Sequence, residues 1–181
     1  ACWPRCDGVI PSAEQAALAA AAREFVSSEI APHAAAWEIA GTGVPATVLA
    51  RLGAQGYFGM LVPAAQGGAG LDLLDYALVT EELAAGDCGL SNLVNVSNSP
   101  VCAALRDHGS AAQHARFLAP LARGELRGCF LLTEPHAGSD ASAITTRATR
   151  RGDKWLLNGT KCFVTAGKSA QLAMIIAVTD A

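Results

Sequence analysis

The strongest constraint on the fold is a change of texture near Gly128. Before it the chain reads as helix, and after it as short strands separated by turns. Ser12-Ala13-Glu14-Gln15 is a capping-box pattern, in which the serine oxygen and the glutamine side chain satisfy reciprocal free amides. The helix-prone run behind it carries Leu18, Ala22, Phe25, Val26 and Ile30 along one face, which predicts a helix to about Ile30. Pro32 marks a new start and a short helix to Trp37. Pro45 suits a first helical turn, in a segment that stops at Gly56. Residues 63–70, PAAQGGAG, read as a loop, and Asp72 then caps an apolar-periodic helix to about Ala85. A further apolar segment holds Pro100 and ends near His108-Gly109. Ser110-Ala111-Ala112-Gln113 repeats the capping box and opens a helix through Phe117 and Leu121.

Beyond Gly128, the runs CFLLT, ITTRAT, KWLLN, KCFVT and LAMIIAVT lean towards strand. Gly152-Asp153 and Asn158-Gly159 are turn signals between them, and Asn-Gly is a strong short hairpin cue. The spacing predicts an antiparallel meander rather than parallel β-α-β units. The fold class expected is therefore α+β: an all-α bundle of about five or six helices followed by the first strands of an antiparallel β domain. The expected division is a tail over 1–11, a helical domain over 12–127 and a partial antiparallel β domain over 128–181. A sheet of this kind needs further strands to bury both faces and close its edges.

Composition narrows the function classes. Apolar residues make up 51% and charged residues only 16%, enough for a sizeable core and against global disorder. The net charge of −3, with no basic run, gives nucleic-acid binding no support. No apolar stretch approaches the roughly 18–20 residues of a membrane span. The opening ACWPRCDGVIPS lacks the charged start and apolar core of a secretory signal. Cysteines at 2, 6, 88, 102, 129 and 162 form no C-x-x-C pair and read as reduced thiols. Histidines at 33, 108, 114 and 136 show no ligand spacing with them, so no metal site is expected.

Four passages invite chemistry. Gly41-Thr42-Gly43-Val44-Pro45-Ala46 fits a loose dinucleotide fingerprint, but helix-like sequence precedes it and no acid follows at the right distance. It reads as a chance match. Ser139, Asp140 and His136 lie on one loop without G-x-S-x-G, which argues against a serine nucleophile. Glu81 and Glu82 are helix neighbours pointing about 100° apart, so they read as solvated or interface carboxylates. The passage LLTEPHAGSD, residues 131–140, holds more content. Pro135 biases Glu134 out of helix, Gly138 permits close backbone approach, and nearby amides with the Ser139 hydroxyl form a donor surface. From these features alone, a ligand cradle and an ordinary loop both remain open.

LLTEPHAGSD followed by LLNGTKCFVTAG closely resembles the middle-domain signatures of acyl-CoA dehydrogenases. AAREFVSSEIAPHAAAWE is similar to that family's first helix, LVPAAQGGAGLDLLDYALVTEELA to its paired-glycine loop and third helix, and HGSAAQHARFLAPLARGEL to the segment leading into its sheet. The resemblance runs from about Ser12 to Asp180. It implies an FAD flavoprotein that oxidises acyl-CoA thioesters to trans-2-enoyl-CoA, in fatty acid metabolism. A carboxylate base takes the α-proton while the β-hydrogen leaves with its electron pair for flavin N5.

Carried over by position, Phe130, Leu132 and Thr133 would lie along the flavin, Thr133 bonding its pyrimidine edge. Gly138 and Ser139 would meet the FAD pyrophosphate, Ser139 also touching the CoA portion of the substrate. Phe163, Val164 and Thr165 would pack beside the ring, with the Thr165 hydroxyl facing N5. The sequence departs from the family at Phe163, Phe130 and His136, and PAAQGGAG lacks the acids common in that loop. His136 is expected to be exposed and solvated. The family's catalytic glutamate belongs to a C-terminal helical domain with no counterpart here, so no catalytic base is assigned and Glu134 reads as a structural turn residue. The resemblance further implies electron-transfer flavoprotein as electron acceptor, a homo-oligomer (tetramer or dimer), and a bacterial cytoplasmic or mitochondrial matrix location. Two alternatives share the scaffold: an acyl-CoA oxidase, and a truncated non-catalytic flavin-binding or interaction fragment.

Overall fold

The computed structural model describes residues 10–179. Most of the expected tail, with Cys2 and Cys6, lies outside the described residues, as do Asp180 and Ala181. Helix α1 (Ala13–Glu29) begins on the expected capping box: the Gln15 amide donates to Ser12 Oγ at 3.2 Å and the Ser12 amide to Gln15 Oε1 at 3.0 Å. Its buried residues Ala22, Phe25 and Val26 form one stripe, as a 3.6-residue period requires. Pro32 sits in the first turn of α2 (Ala31–Ala40), and Gly41, at φ 63°, closes it. Pro45 caps α3 (Ala46–Ala54) rather than opening it, and Gly56 at φ 79° turns the chain out.

Asp72 Oδ1 accepts from the Leu74 and Asp75 amides, both at 2.8 Å, to start α4 (Leu73–Gly86). Asp87 repeats the device for α5 (Cys88–Val96), its Oδ1 accepting from the Leu90 amide at 2.8 Å. A π-helical segment, Ser97–Cys102, carries α5 into α6 (Ala103–His108). Pro100 lies inside that segment, where its missing N–H and ring bulk disfavour tight α-helical winding. The second capping box opens α7 (Ala111–Gln113), which passes through another π segment, His114–Leu118, into α8 (Ala119–Ala122).

Two apolar clusters hold the helices. The first joins α1, α3, α4 and α5 through Phe25, Ile30, Leu52, Val79, Leu83 and Val94. The second gathers Val62, Val101, Leu118 and Leu121, with Phe130 and Leu172 of the strands packed against it. Gly86 lets α1 close on α4, since a Cβ there would stand 2.3 Å from Val26 Cγ1. Across the same pair of helices, Arg23 Nε donates to Glu82 Oε2 at 2.9 Å while Glu81 stays exposed. The carboxylate neighbours therefore do point apart.

The strands are β1 (Gly128–Leu131), β2 (Arg147–Arg151), β3 (Lys154–Asn158) and β4 (Leu172–Ile175). The α+β order is as expected, but the pairing differs from a meander. β2 and β3 form an antiparallel hairpin through Gly152-Asp153, with Gly152 at φ 63°, whereas β1 and β4 pair parallel, Gly128 opposite Leu172 and Leu131 opposite Ile175. Asn158-Gly159 makes no hairpin: Gly159 adopts φ 157°, and the chain leaves the sheet there. KCFVT, expected as a strand, is not one, because Lys161 is drawn to Glu134 and Phe163 takes a left-handed φ of 55°. That detour returns the chain to the starting end of β1, and β4 must then run parallel to it. β3 is exposed along its whole length, including Trp155, Leu156 and Leu157.

Candidate cofactor site

The passage LLTEPHAGSD leaves β1 at Leu131 and folds around one carboxylate. Glu134 and Ala137 exchange backbone hydrogen bonds of 2.9 and 3.1 Å, closing a turn over Pro135 and His136. This aims the Glu134 side chain inwards, where it is 1% exposed. Oε1 accepts from Lys161 Nζ at 2.8 Å and the Thr146 amide at 2.9 Å; Oε2 accepts from the Thr145 amide at 2.8 Å and Thr145 Oγ1 at 2.9 Å. The Lys161 ammonium first, then the Thr146 and Thr145 donors, hold the Glu134 carboxyl far below the usual carboxylate range, with burial opposing them. A carboxylate so strongly held in its ionised form is a poor proton acceptor. Its structural reading stands, as the hub of a buried knot rather than a surface turn.

Glu134 ties two stretches together. Lys161 Nζ also donates to the Leu132 carbonyl at 2.8 Å, and the Cys162 amide to the Thr133 carbonyl at 2.9 Å. Residues 161–162 thus lie beside 132–133, although 29 positions separate each bonded pair. Because the ionised form is favoured in the fold, its stabilisation is complete above the unfolded carboxyl value of about 4.3 and is lost as pH falls below it. Glu134→Gln should therefore make the loss of stability below about pH 4.3 shallower by up to one bound proton. Thermal unfolding of both proteins across pH 3–7 checks this, and identical slopes would rule it out.

From this knot the chain enters a strained loop. Phe163 at φ 55° and Ala166 at φ 61° are the two non-glycine residues with positive φ among the described residues, and they flank Val164 and Thr165. Such conformations cost on the order of 1–3 kcal/mol each and gather at functional sites. The loop leaves the Phe163 side chain 94% exposed beside the Thr133 segment. Thr165 Oγ1 accepts from Asn92 Nδ2 of α5 at 2.9 Å. Thr165 also borders a cavity of about 440 Å³ between the α2–α3 connection, the start of α5 and this loop, lined in part by Trp37, Leu49, Leu90, Leu93 and Arg127.

The residues singled out from sequence fall into two groups. The Lys161–Glu134 knot brings residues 161–162 beside Leu132 and Thr133, and Phe163, Val164 and Thr165 follow directly in the loop that leaves it. Phe130 lies next to them on β1 but leans partly onto the second apolar cluster. Gly138 and Ser139 stand apart on the exposed bend after the turn, where a Cβ added at Gly138 would meet nothing within 4 Å. The fold's own packing therefore does not require glycine there, whereas a ligand lying against the backbone would. Asp140 is occupied locally, its Oδ1 accepting from the Ser142 amide at 3.1 Å. His136 is 52% exposed at the side chain, as expected, with Nε2 3.4 Å from Thr145 Oγ1. Gly41–Ala46 connects two helices, so the dinucleotide fingerprint lacks its strand. Lys161 and Asn92 were not singled out by sequence, and no local pattern marks either, because both act on partners remote in the chain.

An exposed aromatic ring, hydroxyls at 133 and 165, and a glycine bend fit a planar cofactor carrying a phosphate tail, by donor chemistry and by the open cradle at Gly138. Comparison with known proteins points the same way. The chain matches the acyl-CoA dehydrogenase N-terminal domain over residues 12–125 and the acyl-CoA dehydrogenase middle domain over 129–181. It is 38% identical to the human mitochondrial short-chain specific acyl-CoA dehydrogenase, over 87% of this chain and 38% of that protein. It is 38% identical to the short-chain specific acyl-CoA dehydrogenase of Clostridium acetobutylicum, over 92% of this chain and 44% of that one. A glutaryl-CoA dehydrogenase from Mycobacterium smegmatis, solved in complex with FADH2, superposes with a TM-score of 0.89 at 36% identity, over 94% of this chain and 44% of that chain. The chain thus spans less than half the length of these relatives. With both family domains matched in order and the fold shared, the chain belongs to the acyl-CoA dehydrogenase family.

Proposed function

We propose that this chain forms part of a longer FAD-dependent enzyme that converts an acyl-CoA thioester to the trans-2-enoyl-CoA. The observation that carries the reading is the strained Phe163–Ala166 loop, anchored beside Thr133 through the Cys162 amide and leaving the Phe163 ring exposed. FAD, when bound, supplies the two-electron acceptor for the β-carbon–hydrogen bond. The residues of this chain bind and polarise it. Phe130, Leu132, Phe163 and Val164 supply apolar contact to the ring, and Thr133 bonds its pyrimidine edge. The Thr165 hydroxyl would face N5, where a donor would favour the reduced, more negative state. Gly138 and Ser139 hold the pyrophosphate through backbone amides and a hydroxyl, and Ser139 also reaches the CoA portion of the substrate.

No carboxylate of this chain is offered as the α-proton base, since Glu134 is fully engaged with Lys161, Thr145 and Thr146. Residues 12–127 act as the helical domain and 128–181 as part of the flavin-binding β domain. The family likeness supports electron-transfer flavoprotein as electron acceptor, assembly as a homo-oligomer, and a place in fatty acid metabolism in a bacterial cytoplasm or mitochondrial matrix. The test is the visible spectrum of the purified protein, with its intact mass measured on the same sample. Flavin bands at one FAD per protomer, and an FAD-dependent rise in thermal stability, are expected. Protein that neither retains nor rebinds FAD would overturn the reading.

A further inference from the structure

We propose that Asn92 is a positioning residue for Thr165, orienting its hydroxyl as a hydrogen-bond donor towards the flavin; this deepens the proposed function and rests on it. Asn92 lies on α5, a helix anchored by the Asp87 cap and by buried Leu90 and Val94. Its own side chain is on the exposed face, so burial does not account for it. Among the described residues, its side-chain hydrogen bond is to Thr165 Oγ1, at 2.9 Å and 73 positions away.

The direction of that bond matters. A threonine hydroxyl carries one hydrogen and two acceptor lone pairs, while an amide NH2 only donates. With Asn92 Nδ2 occupying a lone pair, the Thr165 hydrogen must point elsewhere. The backbone around Thr165 restricts where that is, because the left-handed Phe163 and Ala166 fix the loop on either side. The Gly167 amide closes the loop onto the Val164 carbonyl at 3.1 Å, and the Ser169 amide closes it onto the Ala166 carbonyl at 2.9 Å. A free threonine rotor spends part of its time with its hydrogen turned away. The Asn92 donor removes the orientation that points back at α5, which biases the hydroxyl to donate on its other side before negative charge develops there.

The experiment is a double-mutant cycle in the FAD-loaded protein, using Asn92→Ala, Thr165→Val and the pair. Alanine on an exposed helix face is the best helix former, so folding is not put at risk. The readout is the midpoint potential of the bound flavin against a reference dye. Asn92→Ala is expected to make flavin reduction about tenfold less favourable, a shift of about 30 mV to more negative potential for a two-electron couple. In the Thr165→Val background the same substitution should shift nothing, since the hydroxyl through which it acts is gone. A purely structural role for Asn92 would give equal shifts in both backgrounds, which overturns the proposal. No shift from Asn92→Ala, where Thr165→Val does shift the potential, overturns the positioning role and leaves the flavin reading standing. Failure to bind FAD, or an unresponsive Thr165→Val, overturns both.

Discussion

In the longer enzyme, Thr165→Val is expected to slow flavin reduction by an acyl-CoA by about 10²-fold while FAD stays bound, the magnitude seen when one preorganised donor to developing charge is removed. Valine is close to isosteric with threonine and keeps the branched side chain against the loop, so the backbone at Phe163 and Ala166 has no reason to move. What disappears is the hydroxyl that Asn92 Nδ2 holds at 2.9 Å. Uniform binding is a different matter, because the proposed FAD contacts of Gly138, Ser139 and the apolar side chains are untouched. The signature is therefore a large fall in the reduction rate with little change in FAD affinity. Anaerobic stopped-flow at saturating substrate, together with FAD titration of the apoprotein, separates the two. Unchanged reduction kinetics would remove Thr165 from its proposed place beside N5.

The second large effect is on stability and lies away from the flavin site. Asn98→Leu should destabilise the fold by about 2–4 kcal/mol, although leucine has the same branched outline as asparagine. Asn98 is fully buried in the π-helical segment between α5 and α6. Its Nδ2 donates to the Tyr57 carbonyl at 2.7 Å and the Val94 carbonyl at 3.0 Å, and its Oδ1 accepts from the Leu61 amide at 3.3 Å. Beside it, Ser97 Oγ donates to the Phe58 carbonyl at 3.0 Å. Residues 57–61 belong to the bridge between the two apolar clusters, so this amide fastens one cluster to the other. Leucine would leave the Tyr57 carbonyl and Leu61 amide in the interior with no partner, and each such group costs about 1–3 kcal/mol. Denaturant unfolding monitored by far-UV circular dichroism gives the difference. A midpoint within error of wild type would show that those backbone groups find other partners. Asn98→Asp retains the acceptor for Leu61 but loses both donations and buries a carboxylate facing two carbonyl oxygens, so at neutral pH it should cost at least as much as leucine.

Much of the helical part was legible because its signals are local. Ser12 with Gln15, and Ser110 with Gln113, form both capping boxes in place. Asp72 caps its helix and Gly56 ends the third in a left-handed conformation, whereas the second helix runs past Trp37 to Ala40. A cap needs only residues three or four apart, and that information lies within one turn of chain. The strand part was less legible. CFLLT and LAMIIAVT mark β1 and β4, but β propensity carries no direction, and nothing in those runs shows that they pair parallel. KCFVT has strand-forming residues throughout, yet the Lys161–Glu134 bond across 27 positions outweighs that preference and turns it into a loop.

The site divides the same way. Gly138 and Ser139 stand out in the sequence as a small-residue turn with donors, whereas Thr133 and Thr165 are marked only by the family resemblance. The approach of residues 161–162 to Thr133 was not legible, since it depends on the ionised Glu134 being buried among donors from positions 145, 146 and 161. Asn92 lay beyond sequence reasoning altogether: its partner comes from a different element, and one asparagine on a helix face has no periodic or motif signature. The sequence by itself determined where helices start and stop, where the chain turns from helix to strand, and which family it resembles, because caps, periodicity and contiguous motifs are short-range. Only the tertiary structure decided strand direction, the left-handed loop at Phe163–Ala166 and the partner of Thr165, because each follows from bonds between groups that chain folding alone brings within 3 Å.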